Sequence, residues 1–281
     1  AESIAGEIVE EPSPFVAQVM ADAERLSAED EPYHREPITY EAPYLDNLPT
    51  APREKFAANI AAIQKLKEIE QRVANGGSPA FEDEQKILAQ YTGWGGLSDA
   101  FDPNKSAWSN EYSQLKAALS ESEYEAARSS TLTAFYTPAT VIHPIYRALE
   151  RFGVKGGKIL EPSMGTGAFL AHGHFGSSDA KFYGVELDSI TGRISKQLYQ
   201  KANIQVTGYE NALLPDNYFD CVIGNVPFGN FQVNDPQYNR LHFPIHDYFF
   251  AKSIDKLRTG GIMALRCPSP TTHCGSFIVI K

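Results

Sequence analysis

The residues best suited to chemistry end an apolar run, in Phe219-Asp-Cys-Val-Ile-Gly-Asn225-Val226-Pro227-Phe228-Gly229. They bring together an amide, a backbone carbonyl and an aromatic ring. An aromatic or amide nitrogen is a poor nucleophile because its lone pair is delocalised. Two acceptors that take hydrogen bonds from both of its N–H groups draw it toward tetrahedral geometry and free that pair. The Asn225 side-chain oxygen and the Val226 carbonyl have this chemistry. Pro227 stiffens the turn, and Phe228 offers a face on which a planar base can stack. Neither acceptor has to titrate, so the segment points to positioning and electrostatics rather than acid–base catalysis. Taken alone, Asn-x-Pro is also an ordinary strand-ending turn.

A second segment begins 64 residues before Asn225: Glu161-Pro-Ser-Met-Gly165-Thr-Gly167-Ala-Phe169, again after a strand-like run. Glycines let backbone close over a ligand with no Cβ in the way, and the loop leads into a helix in the Rossmann manner. Twenty-five residues past Glu161, Tyr183-Gly-Val-Glu186 ends the next strand in an acid. That is where a carboxylate can hold two ribose hydroxyls. Glu161 at the head of the loop would repel a pyrophosphate, but it suits a cofactor bearing an amino group and a sulfonium. The pattern therefore favours S-adenosylmethionine over a dinucleotide. Further on, Gly208-Tyr-Glu210-Asn211 offers an acid or an amide to the exocyclic amine of the cofactor's adenine. Glu210 is the preferred residue, and a plain loop is the alternative.

These segments need a scaffold, and the apolar pattern supplies one. From Thr137 onward it alternates strand and helix. Strands are expected at 158–160, 181–185, 204–207, 218–223 and 262–265. Helices are expected at 138–152, 190–201 and 246–257, the first with Thr137 as N-cap and the last stopped by Gly260-Gly261. Such alternation implies a parallel sheet with helical crossovers. Upstream, helices are expected at 52–74, 82–91, 111–119 and 122–128. Between the second and third, Tyr91-Thr-Gly-Trp-Gly-Gly-Leu97 is read as a structural turn around a packed Trp94 in preference to a ligand loop. The fold class is thus α/β, with a Rossmann-like sheet at 131–281 and a helical extension at 51–130. Residues 1–50 are expected to be a largely disordered acidic lead-in with a short helix near 15–26.

The charge of −10 is located in that lead-in, where twelve acidic residues face two arginines. The remainder has 23 charges of each sign, so charge is silent on nucleic acid. Nothing reads as a membrane span or a secretory signal. Cys221, Cys267 and Cys274 make a poor disulfide framework, which suits a reducing cytoplasm. His242 and His246 lie near Asp247 without a third ligand, so no metal site is expected. Tyr248-Phe249-Phe250 reads as core, and Tyr238, Asn239 and Arg240 as a solvated loop in preference to a clamp on the substrate.

Taken together, these segments resemble the amino-methylating DNA methyltransferases whose cofactor loop precedes the catalytic loop. Glu161–Phe169 is similar to their Asp/Glu-Pro-x-x-Gly-x-Gly-Ala-Phe loop, and Asn225–Phe228 to their Asn-Pro-Pro-Tyr/Phe loop. Ala134-Phe135-Tyr136-Thr137-Pro138 resembles the segment that lies over the cofactor in type I restriction-system methylases. Tyr91–Leu97 resembles the methylase portion of large methyltransferase–helicase fusions of phages, plasmids and conjugative elements. The resemblance implies methyl transfer from S-adenosylmethionine to the N6 amine of adenine in DNA. It implies Asn225, Val226, Pro227 and Phe228 at the target amine, and Phe135, Tyr136, Thr137, Glu161, Gly165, Gly167 and Glu186 at the cofactor. Val226 replaces the usual Pro, keeping the carbonyl but leaving the loop less rigid. The family's sheet has seven strands, whereas this chain is expected to end soon after its fifth. The first residue is Ala rather than Met, and neither helicase motifs nor a target-recognition domain is present, so the chain is expected to be a truncated piece. Methylation of a protein glutamine or an RNA base, and a non-catalytic cofactor-binding fragment, remain the rival readings.

Overall fold

The computed structural model describes residues 48–131, 137–173, 180–267 and 276–281. Six strands form its sheet: β1 (Lys158–Glu161), β2 (Lys181–Glu186), β3 (Asn203–Val206), β4 (Phe219–Asn225), β5 (Leu257–Arg266) and β6 (Ser276–Ile280). Their order is β3-β2-β1-β4-β5-β6. The first five run parallel, and β6 lies antiparallel on β5. This is a Rossmann-like α/β sheet. The chain moves outward from β1 through β2 to β3, then returns to lay β4 on the other side of β1. The order therefore reverses between β1 and β4, and ligands of open α/β sheets bind outside the carboxyl ends of such a pair.

The sheet is buried on both faces, as parallel sheets are. Successive residues of a strand point to opposite faces, so Ile159, Cys221 and Ile223 meet one layer and Leu160 and Val222 the other. The first layer includes α5 (Ala139–Arg151), through Ile142, Ile145 and Leu149. The second includes α8 (Ile245–Lys256), through Ile245, Tyr248 and Phe249.

The N-terminal part contains α1 (Pro52–Ala74), α2 (Glu82–Leu88), α3 (Ser109–Ala118) and α4 (Glu121–Ser130). In α1 the buried face is Phe56, Ile60, Ile63, Leu66 and Ile69, the three-to-four spacing that makes an apolar stripe. Ser120 opens α4 with a capping box, accepting from the Glu123 N–H while Glu123 accepts from its own. All described residues belong to one unit, Pro37–Lys281. The extension shares a core with Ile190, Ile194 and Leu198 of α7 (Ser189–Leu198) and with Met164 of the glycine loop. Arg193 of α7 reaches Glu70 of α1 at 3.0 Å and also pairs with Glu123.

Trp94 is 1% exposed and packs among Phe56, Tyr91 and Phe101. Its loop is pinned by Asn59, which donates to the Gly93 carbonyl at 2.7 Å and accepts from the Thr92 N–H at 2.8 Å. The turn is built as core, in keeping with the structural reading of Tyr91–Leu97.

Four local expectations need correction. Tyr238, expected in a solvated loop, is 6% exposed and packs in the core with Ile245 and Tyr248. Thr137 does not cap α5: the N-cap is Pro138, in extended backbone and with no side-chain bond. Gly260-Gly261 does not stop α8. The helix ends at Lys256, and β5 starts at once because the fully buried Leu257 pairs with Phe219. The glycines lie within β5, where the β4–β5 register shifts between Phe219 and Cys221. Finally, the strands do not stop at the fifth, since β6 adds one more. The expected helix near 15–26 lies outside the described residues.

Candidate active site

The two motifs meet at the reversal point. β1 and β4 are paired neighbours through Ile159–Cys221 and Leu160–Val222. Their carboxyl ends deliver Glu161 and Asn225 to the same edge. The Ser163 hydroxyl donates to the Asn225 carbonyl at 2.8 Å. A Cβ on Gly224 would come within 3.3 Å of the Glu161 Cγ, so the glycine leaves room for that acid.

Backbone bonds shape the loop after β1. The Met164 N–H donates to the Val185 carbonyl at 3.0 Å, and the Gly165 N–H to Glu186 Oε2 at 2.8 Å. The Ser195 hydroxyl of α7 donates to the Gly165 carbonyl at 2.8 Å. Gly167, at φ +77°, begins the short α6 (Ala168–His172). A Cβ there would stand 2.2 Å from the Tyr199 ring, so only glycine fits.

Two oxygens at this edge are buried without a partner, Glu161 Oε2 and Asn225 Oδ1. An unpaired buried acceptor costs about 1–3 kcal/mol, more when charged, so a pair of them at one sheet edge marks a place for ligand donors. Glu161 is 2% exposed, and burial, then the nearby Glu186, raises its carboxyl well above the usual carboxylate range. Burial likewise raises Glu186 to about 7, against the opposing effect of N–H donors at Asp188 and Gly165. Its Oε2 accepts the Gly165 N–H and its Oε1 the Asp188 N–H, both at 2.8 Å. A cofactor with an amino group and a sulfonium would relieve this concentration of acid. The residues therefore fit S-adenosylmethionine.

Val226 lies beside this edge with its side chain 1% exposed, in the core with Tyr238, Ile245 and Tyr248. Its N–H donates to the Arg266 carbonyl at 2.8 Å. A proline would lack that donor, so valine exchanges ring stiffness for one more bond between the β4 and β5 segments. Pro227 and Phe228 follow, part-buried, with Phe228 packed on the same core. Glu210 sits in the short turn after β3 and accepts from the Asn211 amide at 3.0 Å. Thr137 is buried at the start of α5. Phe135 and Tyr136 lie outside the described residues. Among the described residues no cluster of three metal-ligating side chains occurs, and no helix is long and apolar enough to cross a membrane. Ser163, Ser195 and Tyr199 carry no signature in the sequence, because their bonds to the loops depend on tertiary proximity.

Residues 122–251 match the family model described as N-6 DNA Methylase. The chain is 28% identical over 248 residues to Defense against restriction protein B of Escherichia phage P1, covering 86% of this chain and 9% of that protein. It is 30% identical over 140 residues to modification methylase CviBIII of Paramecium bursaria Chlorella virus NC1A, covering 48% of this chain and 37% of that one. The chain thus spans only a minor part of either relative. A Listeria monocytogenes protein assigned to the class I S-adenosylmethionine-dependent methyltransferases aligns over 77% of this chain and 76% of its own, at 16% identity and a TM-score of 0.44.

Proposed function

We propose, on the match of residues 122–251 to the N-6 DNA Methylase model, that this chain methylates the N6 amine of adenine in DNA. The cofactor of this methyltransferase domain is S-adenosylmethionine. Bound, it supplies an electrophilic methyl group on a sulfonium. The observation that carries the reading is the unpartnered, buried Asn225 Oδ1 beside the Glu161 loop, at the reversal point of the sheet.

In this reading Glu186 accepts the cofactor's ribose hydroxyls, and Glu161 balances its positive charge. Gly165 and Gly167 keep the loop thin, Thr137 lines the cofactor side, and Glu210 meets its adenine. Asn225 Oδ1 and the Val226 carbonyl accept the two N–H bonds of the target amine, localising its lone pair. Phe228 stacks on the target base, which must leave the duplex to reach the crevice. The nitrogen loses one proton to solvent as it gains the methyl group. Rate enhancement comes from fixed acceptors and alignment.

The substrate class is tested with methyl-labelled cofactor and three acceptors: unmethylated DNA, RNA and cellular protein. The reading expects label in nuclease-sensitive DNA, recovered as N6-methyladenine. Label that only protease or ribonuclease releases would replace it with a glutamine or RNA substrate.

A further inference from the structure

Helix α8 carries a cation into the interior. Lys252 is 5% exposed, and its Nζ donates to Asp235 Oδ2 at 2.8 Å and to the Glu210 carbonyl at 3.3 Å. The ring centroids of Tyr209, Tyr248 and Tyr238 stand 5.2, 5.7 and 6.0 Å from it. Asp235 is equally buried and also accepts from the Tyr248 hydroxyl at 2.8 Å and the Gln237 N–H at 3.0 Å. Its carbonyl takes the Tyr238 and Asn239 N–H groups, both at 2.9 Å.

One ammonium therefore joins two loops at the carboxyl edge of the sheet. The first follows β3 and contains Glu210. The second follows the Asn225–Phe228 turn and contains Asp235. Stability alone does not account for this, because well-packed apolar groups often hold a core as well as a buried ion pair does. What the pair adds is direction: both partners are fixed relative to each other by charge-assisted bonds. We propose that Lys252 is a positioning residue that couples the cofactor side of the crevice to its target side. Ordering the Glu210 loop around a cofactor then orders the loop beyond the target-amine turn. The inference rests on the proposed place of Glu210 beside the cofactor.

The test is residue-resolved amide exchange of the whole chain, with and without saturating S-adenosylmethionine. Asn211 and Ala212 report the first loop, and Gln237, Tyr238 and Asn239 the second. In the wild type, cofactor should slow exchange at least threefold in both. The double variant Lys252→Met/Asp235→Asn removes both charges together, because a single change would leave one buried and unpaired. It should keep the slowing at Asn211 and Ala212 and lose it at 237–239, whereas Lys252→Arg should retain both. Equal slowing at 237–239 in the double variant overturns the coupling. So does a wild type that responds at 211–212 alone, a result that decides the matter even if the double variant fails to fold. A wild type that responds nowhere, including 163–167, rejects the cofactor reading itself and the coupling with it.

Discussion

Gly165 donates its N–H to the Glu186 carboxylate at 2.8 Å, which ties the loop after β1 to the end of β2. The acid expected to hold ribose therefore also shapes the glycine loop. Removing it should do two things at once. Glu186→Ala is expected to lower cofactor affinity at least tenfold and to speed amide exchange at Gly165. Calorimetric titration and exchange measured on the same sample check both.

The same residue gives a dependence on pH. Its folded value near 7 lies above the ordinary carboxylate value of 4.5, and Glu161 is shifted in the same direction. The folded apo protein thus holds these protons more tightly than the unfolded chain. Their contribution is fully present below about pH 4.5 and fades as pH rises through 7. Thermal midpoints of the apo protein should fall between about pH 4.5 and 7, and Glu186→Gln should flatten that fall. A cationic cofactor favours the ionised carboxylates, so its affinity should rise over the same interval.

Gly167→Ala forces a side chain into left-handed backbone and against the Tyr199 ring. Strain and overpacking together should cost about 2–4 kcal/mol. A lower denaturation midpoint accompanied by weakened cofactor binding is the expected outcome. Unchanged binding would show that the loop tolerates the bulk.

Asn59→Leu removes the donor to Gly93 and the acceptor for Thr92. Two buried backbone groups would lose their partner, a loss of about 2–4 kcal/mol. Because this loop serves as core, the folded variant should bind cofactor as the wild type does. A selective loss of affinity without loss of stability would give the Trp94 loop a ligand role instead.

Val226→Pro tests the departure at the turn proposed to hold the target amine. The substitution deletes the N–H bonded to Arg266, worth about 1 kcal/mol, and removes a side chain from the core. The variant should be less stable and no more active.

Much of this arrangement is legible in the sequence. Glu161 and Asn225 each end an apolar run, and that placement at strand ends follows from pattern and glycine chemistry alone. The glycine pair at 260–261 misled because a helix stop and a strand irregularity share the same residues, and only the pairing of Leu257 with Phe219 separates them. The β6 segment Phe277-Ile278-Val279-Ile280 is made of β-branched and aromatic residues, a composition that suits a strand. The Lys252–Asp235 pair has no local signature, since the partners are 17 positions apart and only the fold buries both.

The central claim is that Asn225 activates an amine beside a cofactor held by the β1 loop. Its most direct test compares wild type and Asn225→Ala in labelled-methyl transfer to unmethylated DNA, with cofactor affinity measured in parallel. Transfer reduced at least a hundredfold with affinity retained is the predicted result. Undiminished transfer by Asn225→Ala in an active preparation would contradict it.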